Sequence, residues 1–196
     1  MRLTIILGMA IFIMACEGGS NETALQPARA LEGVPAGAIT EPFADNPNLV
    51  KVTIKNGTGQ VTAQGEYLKG MRHGNWTEYH SNGVISSITN YDLGVMEGLA
   101  VVLENTGQLL ERTYYHNGLK NGESVVYNRT RIKEERFYKD DKLEGTVKIY
   151  YDTGKIMEEG LYVNGMRHGI SRWYDQDGNV SIEYEYNNGE LVKEDP

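Results

Sequence analysis

The sequence predicts an all-β protein, an elongated single-layer antiparallel sheet of tandem β-hairpin repeats. Three observations predict it. Glycines recur at 74, 98, 122, 145 and 169, in steps of 24, 24, 23 and 24. Tyrosines keep the same ruler at Tyr67, Tyr91, Tyr115, Tyr138, Tyr162 and Tyr186. Short turn sequences ending in glycine, such as Ser81-Asn82-Gly83 and Asp152-Thr153-Gly154, recur between them. A fixed period of this length is the mark of a repeat architecture.

The chain has 196 residues and a net charge of −8. An acidic chain is not built to neutralise phosphate backbones, so no nucleic-acid partner is expected. Anionic headgroups are disfavoured for the same reason. Tyr numbers 13 against 3 Phe. A ring with a wet hydroxyl suits a half-buried pleated surface.

From the N-terminus, Arg2 precedes an apolar run from Leu3 to Ala15. The run is too short to span a bilayer but fits the apolar core of an export signal. It ends Ile13-Met14-Ala15-Cys16, and Cys16 is the single cysteine. No intramolecular disulfide or cysteine metal cluster is therefore possible. This junction resembles the lipobox of bacterial lipoproteins, with Met14 where a small residue is usual. The resemblance implies cleavage before Cys16, lipid attachment to its thiol, and a membrane-anchored protein of the cell envelope, on its periplasmic or surface side. Contact with the membrane would then be through the N-terminal lipid only.

Pro27, Pro35, Pro42 and Pro47 lie among Ala and Gly in the next stretch, which shows no helical or strand period. The expected division is 1–15 signal peptide, 16–48 lipidated Cys16 and flexible tether, and 49–196 repeat domain.

Within the repeats, glycines also stand at 70, 94, 118, 165 and 189, with Asp141 filling the remaining place. A third column holds Gly59, Gly83, Gly107, Gly154 and Gly178. The last is expected to close a three-residue hairpin loop where φ is positive. Such a loop sets Tyr79 opposite Ile85. Strand alternation then predicts that Ile85 and Tyr91 share a face, giving one apolar stripe per unit. One hairpin turn departs, since Tyr127-Asn128-Arg129-Thr130-Arg131 is a residue short and lacks its glycine. Lone hairpins are marginal in water, so the units must stack side by side. Ten to twelve strands would make a body of roughly 50 Å.

The pattern Gly-x3-Gly-x4-Tyr-x3-Gly, with an aliphatic residue and then Tyr-x2-Gly, resembles the MORN repeat (membrane occupation and recognition nexus). Gly70-Met71-Arg72-His73-Gly74, recurring as Gly165-Met166-Arg167-His168-Gly169, resembles its bacterial variant. The resemblance covers about residues 57 to 192. It implies an extended sheet of hairpins and a binding or scaffolding role rather than catalysis. Some bacterial members are labelled antitoxins of toxin–antitoxin systems, a role that fits poorly with export.

No residue set reads as catalytic, and neither cofactor nor metal is expected. His73 and His168 fall in connecting loops four units apart, too far to share one metal, and read as polar turn residues. Asp175-Gln176-Asp177-Gly178-Asn179 lacks the later glutamate of a calcium loop. Glu134-Glu135, Glu158-Glu159, Glu183 and Glu185 recur by period and read as charges solvating an outer face. The tyrosine column from Tyr67 to Tyr186 reads as packing between hairpins and as a candidate contact surface.

The favoured function is an envelope-anchored, non-enzymatic scaffold whose partner is a protein of unknown identity. An antitoxin or immunity-type protein and a cell-envelope glycan binder are the alternatives.

Overall fold

The computed structural model describes residues 33–195, with side chains described through 192. Cys16 and the expected signal peptide lie outside the described residues. Fifteen strands form one open antiparallel sheet: β1 (Ile39–Phe43), β2 (Asn46–Lys55), β3 (Val61–Leu68), β4 (Met71–Tyr79), β5 (Ile85–Asp92), β6 (Val95–Leu103), β7 (Leu109–His116), β8 (Leu119–Asn128), β9 (Arg131–Lys139), β10 (Lys142–Leu143), β11 (Gly145–Tyr150), β12 (Ile156–Val163), β13 (Met166–Tyr174), β14 (Val180–Asn187) and β15 (Glu190–Asp195). Each strand pairs with the next in sequence. The exception is β9, which pairs with both β10 and β11, two halves of one interrupted strand. Fourteen strands in line, about 4.8 Å apart, give a span of roughly 60 Å.

Two turn types alternate along the chain, for reasons legible in the residues. The wide hairpin turns carry the glycine at positive φ. Gly83 N–H donates to His80 O at 2.9 Å and His80 N–H to Val84 O at 2.8 Å, with Gly83 at φ +84°. This is the expected three-residue loop closed by a glycine bulge. The tight turns between units place two successive residues at positive φ, as at Asn117-Gly118 and Asn164-Gly165. Asn and Gly tolerate that region; Leu93 and Lys69 occupy it in two of the turns at a steric cost. The tight turns also stack. Gly94 N–H donates to Arg72 O, Gly118 to Met96 O, Asp141 to Lys120 O, Gly165 to Leu143 O and Gly189 to Arg167 O. Each unit thereby ties its turn to the one before, which is the nearest-neighbour coupling of a solenoid.

The core is concentrated at the N-terminal end. Trp76, only 1% exposed, lies flat over Gly65, where a Cβ would stand 2.7 Å from the indole. Val50, Val52, Ala63 and Tyr67 complete the cluster, and Val34 and Ala38 pack on it from the segment before β1. Residues 39–43 and 46–48, expected within the tether, are strand here, joined by a turn at 44–45. Val50 and Val52 bury their side chains against β3, and pairing β1 and β2 continues the sheet past Pro42 and Pro47. Prolines are tolerated near a sheet edge, where one N–H needs no partner.

One further expectation is overturned. Ile85 and Tyr91 lie on opposite faces. Tyr79 pairs with Ile85, but Glu78 pairs with Ser87, so Ser86 is an extra residue in β5. One bulged residue inverts the alternation of everything beyond it. The same slip recurs at Leu103/Leu109, Tyr127/Ile132, Tyr150/Ile156 and Tyr174/Val180. Each unit therefore has two stripes on two faces.

Candidate functional site

The first face carries the tyrosine column. Register pairs Tyr67 with Arg72, Tyr91 with Met96, Tyr115 with Lys120, Tyr138 with Leu143, Tyr162 with Arg167 and Tyr186 with Leu191. The side chains alternate along the array, ring then cation or aliphatic. The Arg72 guanidinium lies 4.5 Å from the Trp76 ring centroid and 5.4 Å from that of Tyr91. Arg167 lies 5.1 to 5.8 Å from Trp173, Tyr162 and Tyr186. Lys120 lies 5.2 Å from Tyr138. Guanidinium over an aromatic face is favourable by about 0.5–2 kcal/mol. The Tyr column thus packs between hairpins, with its rings only half exposed beyond the buried Tyr67. The residue two places before each repeat glycine is its interleaving partner. That role was missed in the sequence, although the recurring Gly-Met-Arg-His-Gly string was its signal.

The repeat glycines have a structural use. Gln64 pairs with Thr77 and Glu66 with His73, so three residues beginning at Gly74 face the single Gly65. Gly74, Gly98, Gly122, Gly145 and Gly169 all hold positive φ at this irregularity. At Gly122 the space also matters, since a Cβ would sit 3.1 Å from Tyr114 Cβ.

His73 and His168 lie inside β4 and β13 and not in loops. The tight turn ends earlier than the sequence spacing suggested. Their column continues as Glu97, Asn121 and Glu144, and these side chains reach the next turn. Glu97 accepts from Asn117 N–H at 2.9 Å and pairs with His116 at 2.8 Å; Glu144 accepts from Asn164 N–H at 2.9 Å. The Asn117 N–H and His116 hold the Glu97 carboxyl below its ordinary range, and Glu97 raises His116.

The recurring glutamates do more than solvate. Glu134 pairs with Arg136 and Glu158 with Arg167 on the tyrosine face. Their neighbours point the other way. Glu135 accepts from Tyr150 Oη at 2.7 Å and Glu159 from Tyr174 Oη at 2.5 Å. Burial and the Glu135 hydrogen bond push the Tyr150 hydroxyl well up, and the Glu159 hydrogen bond raises that of Tyr174. Arg172 joins Glu183 at 2.7 Å. Glu135, Glu158, Glu159 and Glu183 are each held by a side chain of the neighbouring strand, and Glu134 by Arg136 of its own strand.

The second face carries a strip that the sequence reading did not single out. Leu99, Tyr114, Phe137, Leu161 and Ile170 share it by register, with Glu123 and Thr146 between them. Their exposures are 37, 40, 51, 39 and 45%. Asn75 and Asn90 stand at one end and Glu185 at the other. The signal was split between two columns, Leu99 and Ile170 just after a repeat glycine and Tyr114, Phe137 and Leu161 just before a repeat tyrosine. Among the described residues, no group of His, Cys, Asp and Glu is placed to hold a metal ion, and no helix is long and apolar enough to cross a membrane.

An open antiparallel sheet of stacked hairpins, with a laced aromatic face and a half-exposed apolar one, defines a hairpin-repeat protein. Residues 72–93, 143–164 and 167–188 match the family model of the MORN repeat variant. Residues 94–142 between the matches fold into the same hairpins. Repeats of this kind point to a binding or scaffold protein. No curated protein matches the chain. Among solved structures, an S. aureus TarM mutant in complex with fondaparinux, alpha-GlcNAc-glycerol and UDP is similar at 16% identity and a TM-score of 0.35, over 56% of this chain. The chain spans 21% of that protein's length.

Proposed function

We propose that this protein is a non-catalytic binding scaffold, held at the cell envelope by lipid on Cys16, with a protein partner docking on the second face. The observation that carries the reading is the strip Leu99, Tyr114, Phe137, Leu161 and Ile170. It crosses β6 to β13 on a face that no second layer of the described residues covers. A row of large apolar side chains with a polar rim is how protein–protein contact surfaces are built. Stacking of glycans on the tyrosine column is less favoured, because Arg72, Lys120 and Arg167 already occupy ring faces there.

The test is crosslinking and capture from the envelope fraction of the source cell with the full chain and with Phe137→Glu and Leu161→Glu. Both positions are exposed, so folding should survive, as circular dichroism would verify. A partner retained by the wild type and lost by both variants supports the reading. Equal recovery with all three removes the strip from it. The anchor is tested apart, by lipid labelling of wild type and Cys16→Ser.

A further inference from the structure

The shortened turn of the array makes a site. Every other wide turn has a three-residue loop, whereas β8 and β9 close through Arg129-Thr130 alone, with Asn128 paired to Arg131. The tip is set back, and a cleft of about 460 Å³ opens beside the next turn, lined by Asn128, Arg129, Thr130, Arg131 and Asp152. Arg129 holds φ +58°.

The two arginines differ from the other arginines of the described residues. Arg72, Arg112, Arg136, Arg167 and Arg172 each have a carboxylate within ion-pair distance. Among the described residues, Arg129 and Arg131 have none. Arg131 Nη1 donates only to the Asp152 carbonyl, and both arginines are exposed. In a chain of net charge −8, two guanidiniums two residues apart thus stand at one cleft with no carboxylate in ion-pair range among the described residues. The Asp152 carboxylate is the one acid of the lining, and its Oδ1 accepts from Asn128 Nδ2 at 2.8 Å.

We propose that this cleft binds a phosphate-class oxyanion, a phosphate dianion or monoester. A guanidinium presents a planar fork that takes two oxygens of a carboxylate or phosphate. A carboxylate satisfies one fork. A phosphate dianion has the charge and the spare oxygens for two. The Thr130 hydroxyl at the tip is a further donor available to the lining.

The experiment is an amide-detected NMR titration of the full chain with inorganic phosphate. Glycerol 3-phosphate serves as the monoester, glycerophosphocholine as the diester, and acetate and chloride as controls at matched ionic strength. Saturable one-to-one shifts are expected at Thr130, Arg131 and Asp152, with phosphate and the monoester at least tenfold tighter than the rest. Phosphate alone binding would assign the site to the free ion, and monoester preference to an esterified one. Arg129→Gly suits the positive φ and keeps the fold; it and Arg131→Gln should each weaken binding at least tenfold, while Lys55→Gln changes nothing. Affinity should fall from pH 7.5 to 5.5, because the monoester loses its second charge near pH 6, and inorganic phosphate loses its own at a higher pH, while arginine keeps its charge. Phosphate binding no tighter than acetate, or within twofold of wild type in both arginine variants, overturns the proposal.

Discussion

At the scale of the residue, backbone strain and local charge govern what can be changed. Leu93 sits at φ +45° in a tight turn where equivalent turns hold Asn117, Asn164 and Asn188. A left-handed conformation costs a β-carbon residue about 1–2 kcal/mol, and Asn less. Leu93→Asn should therefore stabilise the fold by about 1 kcal/mol, seen as a higher urea midpoint at unchanged slope. Glu97 and His116 form a pH-bounded staple. The lowered Glu97 contributes above its ordinary value of 4.5, and that contribution is lost as pH falls through its depressed value. The raised His116 contributes fully below 6.5, lost as pH rises through its elevated value. The stability difference between wild type and His116→Gln should be greatest between about pH 4.5 and 6.5 and shrink towards pH 8. Denaturant melts across that range check it, and a difference flat in pH would contradict it.

At the scale of the element, the irregularities of pairing carry the design. The glycine at each repeat bulge is conformational, as Gly122 at φ +111° shows. Gly122→Ala adds both backbone strain and a Cβ pressed on Tyr114, and should cost about 1–3 kcal/mol. Guanidinium denaturation would read this, with Gly37→Ala, which has open space at its Cβ but positive φ, separating strain from crowding. The wide-turn bulges were legible as turns, since the three-residue loop with glycine last is a strong local signal. Their consequence for the faces was not. Ile85 and Tyr91 were expected together because alternation was counted through Ser86, and only the pairing of Glu78 with Ser87 shows the slip. His73 and His168 were misplaced into loops for a similar reason, as the tight turn is two residues long and β4 and β13 begin directly after it.

At the scale of the whole molecule, stability is distributed along a line rather than gathered in a centre. Contacts run between successive strands, and each tight turn bonds to the preceding unit. Removing one complete unit, Val95 to Gly118, joins Gly94 to Leu119 in register. That variant should fold, with a denaturant slope smaller by about a sixth and reduced stability. A deletion of half a unit, Val95 to Thr106, runs a tight turn directly into a wide one and should not fold, and circular dichroism distinguishes the two. The N-terminal cluster around Trp76 closes one end, so losing Val34 and Ala38 should expose that end first, as hydrogen exchange at β2 and β3 would report.

The 24-residue period, the hairpins, their loop geometry and the defect at Asn128 to Arg131 were determined by the sequence alone, because glycine and tyrosine spacing encode local conformation and pairing. Which residues share a face was decided only by the tertiary structure, and with it the strip from Leu99 to Ile170, the interleaving of Arg72 and Arg167 with the tyrosines, and the cleft at Arg129 and Arg131. The physical reason is the pleat. A strand alternates with period two, so a single bulged residue reverses every side chain beyond it, and no local signal marks which residue the ladder leaves out.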